Sequence, residues 1–116
     1  MDIRALLKEE IASYEANEWA GEIAGQQITL YAKPMSPADN ARVLRKYPNF
    51  NNTFEFGGMV EYLILKATDA DGKRVFSEQD RPLLMRLNQT KIGEMFNALF
   101  DDQVVEDEQE KKVGNS

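Results

Sequence analysis

Residues 54–68, FEFGGMVEYLILKAT, constrain the fold more than any other stretch of the chain. Met59, Val60, Leu63, Ile64 and Ala67 carry an apolar face, and Tyr62 and Leu65 extend it to the other sides. A helix apolar nearly all round has no face to give to water, so it belongs at the centre with the other elements wrapped around it. Gly57-Gly58 near its start lowers helix propensity and marks either a close packing point or a late start to the helix. The pair lacks the lysine and the spacing of a phosphate-binding P-loop.

The segments before it read as the wrapping. Ile3, Leu6, Leu7, Ile11 and Tyr14 share one helical face, with Lys8, Glu9, Glu10 and Glu15 elsewhere, which predicts an amphipathic helix over residues 2–17 with Asp2 at its N-terminus. The period then shortens to two. Ile28, Leu30 and Ala32 alternate with Thr29 and Tyr31, and Ala24-Gly25 supplies a turn, so residues 19–33 predict a small hairpin, which needs a helix to cover it. Ser36-Pro37-Ala38-Asp39 joins a capping hydroxyl, a proline at the first helical position and an acid at the third; the helix it opens runs to about Tyr47 and stops at Pro48. Arg42, Arg45 and Lys46 cluster on it, as a solvated face or as a contact for an acidic partner or the chain's own acidic end. Residues 49–53 read as a polar loop.

Beyond the central helix, residues 69–72 (DADG) admit two readings. As a calcium loop starting at Ala67, Asp69, Asp71, Gly72 and Glu78 would fall at positions 3, 5, 6 and 12. The first ligand would then be an alanine, and Arg74 would occupy the usually apolar eighth position beside Lys73. The reading adopted is a structural corner, in which Asp side chains bond local backbone and Gly72 takes positive φ. A brief extended piece, residues 73–76, returns Phe76 to the core. Ser77 or Asp80 caps the next helix, with Pro82 in its first turn and Leu83, Leu84 and Leu87 facing inward. Thr90 opens a last helix in which Ile92, Met95, Phe96, Leu99 and Phe100 repeat at helical spacing. Such a stripe is either core or a docking face for an apolar partner, since Met and Phe adapt to varied surfaces. Leu7 and Ile11 on the first helix invite the same two readings.

The chain contains no histidine and no cysteine. Ser-His-Asp and Cys-His catalysis, His-ligated metals, zinc knuckles and disulfides are therefore excluded, and no Asp or Glu sits in an apolar setting that would clearly raise its pKa. The expectation is a protein that is not an enzyme and uses no cofactor. Its 116 residues make one domain. No segment approaches the ~20 apolar residues of a membrane span, and the N-terminus lacks a basic, then apolar, leader. A net charge of −6 argues against nucleic acid as the main partner. Six acids and two lysines in residues 101–116 hold four of those six net charges, so a nearly neutral globular body, 1–100, and a disordered acidic tail, 101–116, are expected. The fold class predicted is α+β, mostly helical, with one small hairpin against four or five helices.

The MDIRALL opening, a Trp19 segment leading into ITLYAKPMSPAD, then VEYLILKATDADGKRVFSEQD, and a terminal helix before an acidic end follow one another in an order that resembles the tail assembly chaperones of long-tailed bacteriophages. The resemblance spans most of the body. It implies a protein of the infected bacterial cytoplasm, absent from the mature virion, that coats the long helical tape measure protein while tail tube protein assembles around it. It implies self-association as well. Related proteins are often extended by ribosomal frameshifting, and Glu110-Lys111-Lys112 is compatible with an A-rich slippery run. The residues expected to contact the client are Met95, Phe96, Leu99 and Phe100, with Ile92 on the same stripe and Leu7 and Ile11 on the first helix. Two other classes stand beside this one: a small acidic adaptor that binds and inhibits one host protein, and a calcium-responsive module.

Overall fold

A computed structural model describes residues 2–53 and 55–100. The expected acidic tail, 101–116, lies outside the described residues. Helix α1 (Ile3–Ser13) leads to strands β1 (Asn17–Ile23) and β2 (Gln26–Ala32); α2 (Pro37–Lys46), α3 (Phe50–Thr53) and α4 (Phe56–Lys66) follow, then α5 (Arg81–Leu84) and α6 (Gln89–Phe100). The architecture is mostly helical α+β with a two-stranded antiparallel sheet.

Helix α4 is the centre, as its composition requires. Val60, Tyr62, Leu63 and Ile64 are buried on it, with α6, α2 and α5 packed around them. Of the two readings of Gly57-Gly58 the structure gives the close packing point, because α4 starts at Phe56, ahead of both glycines, and they are buried in its first turn. A Cβ on Gly57 would lie 2.3 Å from Tyr47 Cε1, and one on Gly58 would lie 2.1 Å from Phe50 Cδ1. Each glycine exists to let an aromatic ring reach the helix backbone. Phe50 is where the expectation of a polar loop fails: residues 49–53 hold the short helix α3, and Phe50 plugs into the core at 5.6 Å from the Tyr62 ring and 5.9 Å from Phe96. Three asparagines around it hid a single buried anchor.

The hairpin pairs Trp19 with Leu30 and Asn17 with Ala32. Ala24 and Gly25 turn it with φ of +52° and +80°, the signature of a type I′ turn, whose twist matches that of the strands. Its inward positions, Trp19, Leu30 and Ala32, are buried, and the sheet lies on α6. Asn17 Nδ2 ties the start of β1 to the end of α6 by donating to the Leu99 carbonyl at 2.9 Å.

The cap of α2 was legible in the sequence. Asp39 N donates to Ser36 Oγ, and Ser36 N donates back to Asp39 Oδ2, both at 3.1 Å. Lys66 Nζ, from the last turn of α4, donates to the same carboxylate oxygen at 2.7 Å, so the cap also locks α2 to α4. At residues 69–72 the structure forms the corner: Asp69 Oδ1 accepts from the backbone N–H of Asp71 (2.9 Å) and Lys73 (3.0 Å), and Gly72 has φ of +83°. Thr68 bridges both Tyr31 and Arg74, so the corner continues the edge of the sheet.

Helix α1 differs from its prediction in length and in setting. It is capped by Asp2, whose side chain accepts from Arg4 N, but it ends at Ser13, four residues before the expected boundary, where Tyr14 turns extended. No residue of α1 is buried.

Candidate functional site

The residues expected to contact a partner fall into two groups that the structure separates. Ile92, Met95, Phe96, Leu99 and Phe100 are between 0% and 4% exposed. Phe96 and Phe100 stand 5.3 Å apart, and both face Tyr62, at 6.0 and 5.2 Å. The docking role expected for this stripe is therefore corrected: α6 lies between α4 and the hairpin, and its apolar face is core. Leu7 and Ile11 stand in the opposite situation, at 55% and 62% exposed, with Ile3 at 63% and Leu6 and Tyr14 also exposed. The first helix thus presents an apolar stripe to solvent. At 1.5 Å per residue it is about 16 Å long, joined to β1 by Tyr14, Glu15 and Ala16.

Its charges lie mostly off that stripe. Arg4 and Lys8 border it on one side and Glu9 lies away from it, whereas Glu10 falls within it, between Leu6 and Ile3, where its hydrogen bond from Tyr14 raises the Tyr14 hydroxyl above its ordinary value. Single exposed apolar residues are ordinary, but a contiguous row on one helix marks an interaction surface.

A second apolar surface surrounds α5. Leu83 was expected to face inward with Leu84, yet only Leu84 is buried, and Leu83 is 66% exposed. Adjacent residues on a helix point about 100° apart, and a single turn of four residues cannot bury both. Two hollows flank this turn. One, of about 300 Å³, is lined by residues that include Ile23, Val75, Phe76, Leu83, Leu87 and Met95. The other, of about 180 Å³, is lined by residues that include Phe56, Val60, Met85, Leu87 and Ile92. Val75, Leu83, Met85 and Phe56 are all exposed. The sequence reading missed this surface.

What fixes α5 in place is a buried carboxylate that the sequence reading also missed. Glu61 lies on α4 with its side chain 5% exposed and meets the Arg81 guanidinium directly, with Lys46 Nζ at 3.5 Å. Arg81 also reaches Glu78 Oε2 at 2.8 Å, and Lys46 reaches Glu78 Oε1 at 3.2 Å. Hydrogen bonds from Arg81 first, then from Lys46, hold the Glu78 carboxyl below its ordinary value. A buried carboxylate persists only when its charge is compensated, and Arg81 stands twenty positions further along the chain, invisible to local periodicity. The cluster welds α2, α4 and α5 into one wall. Of the basic cluster on α2, Lys46 is committed to this wall, and Arg42 and Arg45 remain at the surface.

Among the described residues, no group of three or more His, Cys, Asp or Glu comes together as a metal site, and no helix is long and apolar enough to cross a membrane. Compared with known protein families, curated proteins and solved structures, the chain gives no match.

Proposed function

We propose that this protein is a non-enzymatic assembly chaperone of the kind its sequence resembles, which covers the apolar helical surface of a tape measure protein while tail tube subunits assemble around it. The observation that carries this reading is α1, a capped helix whose apolar stripe is exposed and has no buried residue. A helix of this length is marginal on its own. A chain that keeps one outside its core, with Ile3, Leu7 and Ile11 in water, spends solubility on a surface that does nothing for the fold. Docked along an apolar helix of a client, the same stripe would bury its side chains and be stabilised as a helix.

The hollows beside α5 supply a second apolar contact on the same molecule, so one copy can touch a long client at two places, and many copies can follow it along its length. The net charge of −6 would keep coated clients apart. The setting proposed is the cytoplasm of an infected bacterium, with no place in the finished virion.

The test is the DNA from the Glu110 codon onward. A slippery A-rich heptamer, an overlapping frame and then a very long helical reading frame are expected. Ordinary codons followed by unrelated genes would overturn the reading in favour of an adaptor that binds one host protein.

A further inference from the structure

We infer that the outer edge of β1 takes an extended segment of a partner protein as a third strand, one that carries Lys or Arg at two positions four residues apart. This edge is separate from α1 and from α5, so the contact does not depend on what either of those binds.

In an antiparallel pair, residues bonded across the pair alternate with residues whose N–H and C=O both point away from it. Tyr31 uses its N–H and its carbonyl on Thr68, at 2.9 and 2.8 Å, on the far side of β2. It therefore bonds nothing on Glu18, which stands opposite it in the hairpin, and the N–H and carbonyl of Glu18 point outward. Alternation gives Ala20 and Glu22 the same direction. Lys91, reaching over from α6, bears this out by donating to the Glu22 carbonyl at 2.7 Å. Among the described residues no hydrogen bond reaches the N–H or carbonyl of Glu18 or Ala20, or the N–H of Glu22. About 13 Å of strand edge is thus unpaired. Such groups are satisfied by water, and they are also the template on which an added strand forms.

Charge decides what can add there. Glu18, Ala20 and Glu22 put their side chains on one exposed face of the strand. Neither carboxylate has a cationic partner among the described residues. Glu22 accepts from Gln27 at 3.0 Å and Glu18 faces Tyr31, and both neighbours are neutral. A second copy adding its own β1 in the antiparallel sense would set each Glu18 directly opposite a Glu22, and like charges so placed are destabilising. Residues 101–116, with six acids against two lysines, have the wrong sign as well. Charged residues on an edge deter a sheet from pairing with its own kind, yet an edge of a single sign still accepts a strand of the other. Lys or Arg opposite Glu18 and Glu22 completes two cross-strand ion pairs and fixes the register of the added strand.

An NMR titration of the full chain, labelled on nitrogen, with the peptide Thr-Lys-Val-Thr-Val-Lys-Thr up to about 5 mM reads the contact directly. The amide signals of Glu18, Ala20 and Glu22 are expected to shift together. The same peptide with Glu in place of Lys should bind about tenfold more weakly, because two attractive pairs become two repulsive ones. Glu18→Lys with Glu22→Lys should reverse that preference. Ala20→Pro should abolish binding while the hairpin persists, since proline is tolerated in a strand where the N–H faces solvent. A wild type whose Glu18, Ala20 and Glu22 amides do not move would overturn the proposal. So would equal binding of the two peptides, a charge-reversed chain that keeps the original preference, or a folded Ala20→Pro variant that binds as the wild type does.

Discussion

At the level of single residues, three small side chains show how closely this body is packed. Gly58 and Gly93 are both helical glycines, yet their neighbours differ: a Cβ on Gly58 meets the buried Phe50 ring at 2.1 Å, and one on Gly93 meets nothing within 4 Å. Gly58→Ala should cost about 1–3 kcal/mol by overpacking, whereas Gly93→Ala should gain about 0.5–1 kcal/mol by lowering the entropy lost on folding. Thermal unfolding of the two variants checks the sign of each. Ala24 is the converse case, an L-residue held at φ of +52° in a turn that favours Asn-Gly. Ala24→Asn should raise stability by about 1 kcal/mol, because asparagine tolerates the left-handed region and alanine does not. An unchanged or lower melting temperature would show that the turn is not strained.

Tyr62 sets a pH limit at the same scale. Burial, and secondarily the Asp39 charge, pushes its hydroxyl from 10.0 up to about 12. In the unfolded chain the phenol ionises first as pH rises. The stability it contributes is therefore complete below about pH 10 and lost as pH climbs toward 12. Tyr62→Phe gives up the hydrogen bond to Asn40 Oδ1 but should flatten this alkaline decline, read from denaturant midpoints across that range. A decline of equal steepness in the variant would assign it to another group. Asp39 acts at the acid end. Burial works to raise its carboxyl, but the hydrogen bonds from Lys66 and Ser36 and the Lys66 charge outweigh it, so its contribution is present above the ordinary carboxylate range and fades as pH falls below it.

At the level of elements, the sequence was most legible where a local rule has one outcome. The capping box of α2, the hairpin turn at Ala24-Gly25, the corner at residues 69–72 and the all-round apolar α4 all follow from chemistry within a few positions. It was least legible where the outcome depends on what arrives from elsewhere in the chain. Phe50 among asparagines, Glu61 awaiting Arg81, and Leu83 beside Leu84 each needed the tertiary structure to decide. Asn88, whose side chain accepts from Thr90 N at 2.7 Å, is the cap of α6 in place of the Thr90 start that was expected. The two apolar stripes make the point most sharply. On α1 and α6 the periodicity is the same, and an amphipathic helix looks alike whether its own core covers it or a partner does.

Substitution separates them. Phe96→Asp with Leu99→Asp places two charges among Phe50, Tyr62 and Phe100 and should unfold the body, seen as lost cooperative melting. Leu7→Asp with Ile11→Asp should leave the melting temperature within about 2 °C of the wild type, as exposed positions do. Equal effects from the two pairs would mean that α1 is packed after all.

At the level of the whole molecule, a welded core carries two apolar surfaces that the fold does not use. The Glu61–Arg81–Lys46–Glu78 cluster ties α5 to α2 and α4, and α1 hangs from β1 by three residues. An exposed apolar helix and an apolar groove together suit a protein that covers another chain's apolar surface. The most direct measurement of the central claim is the soluble fraction of a tape measure protein co-expressed with this chain. The wild type should hold it in solution, and the Leu7→Asp, Ile11→Asp variant, folded as stably as the wild type, should let it precipitate. A variant that keeps the tape measure protein as soluble as the wild type does would contradict the assignment of α1 as the surface that binds it.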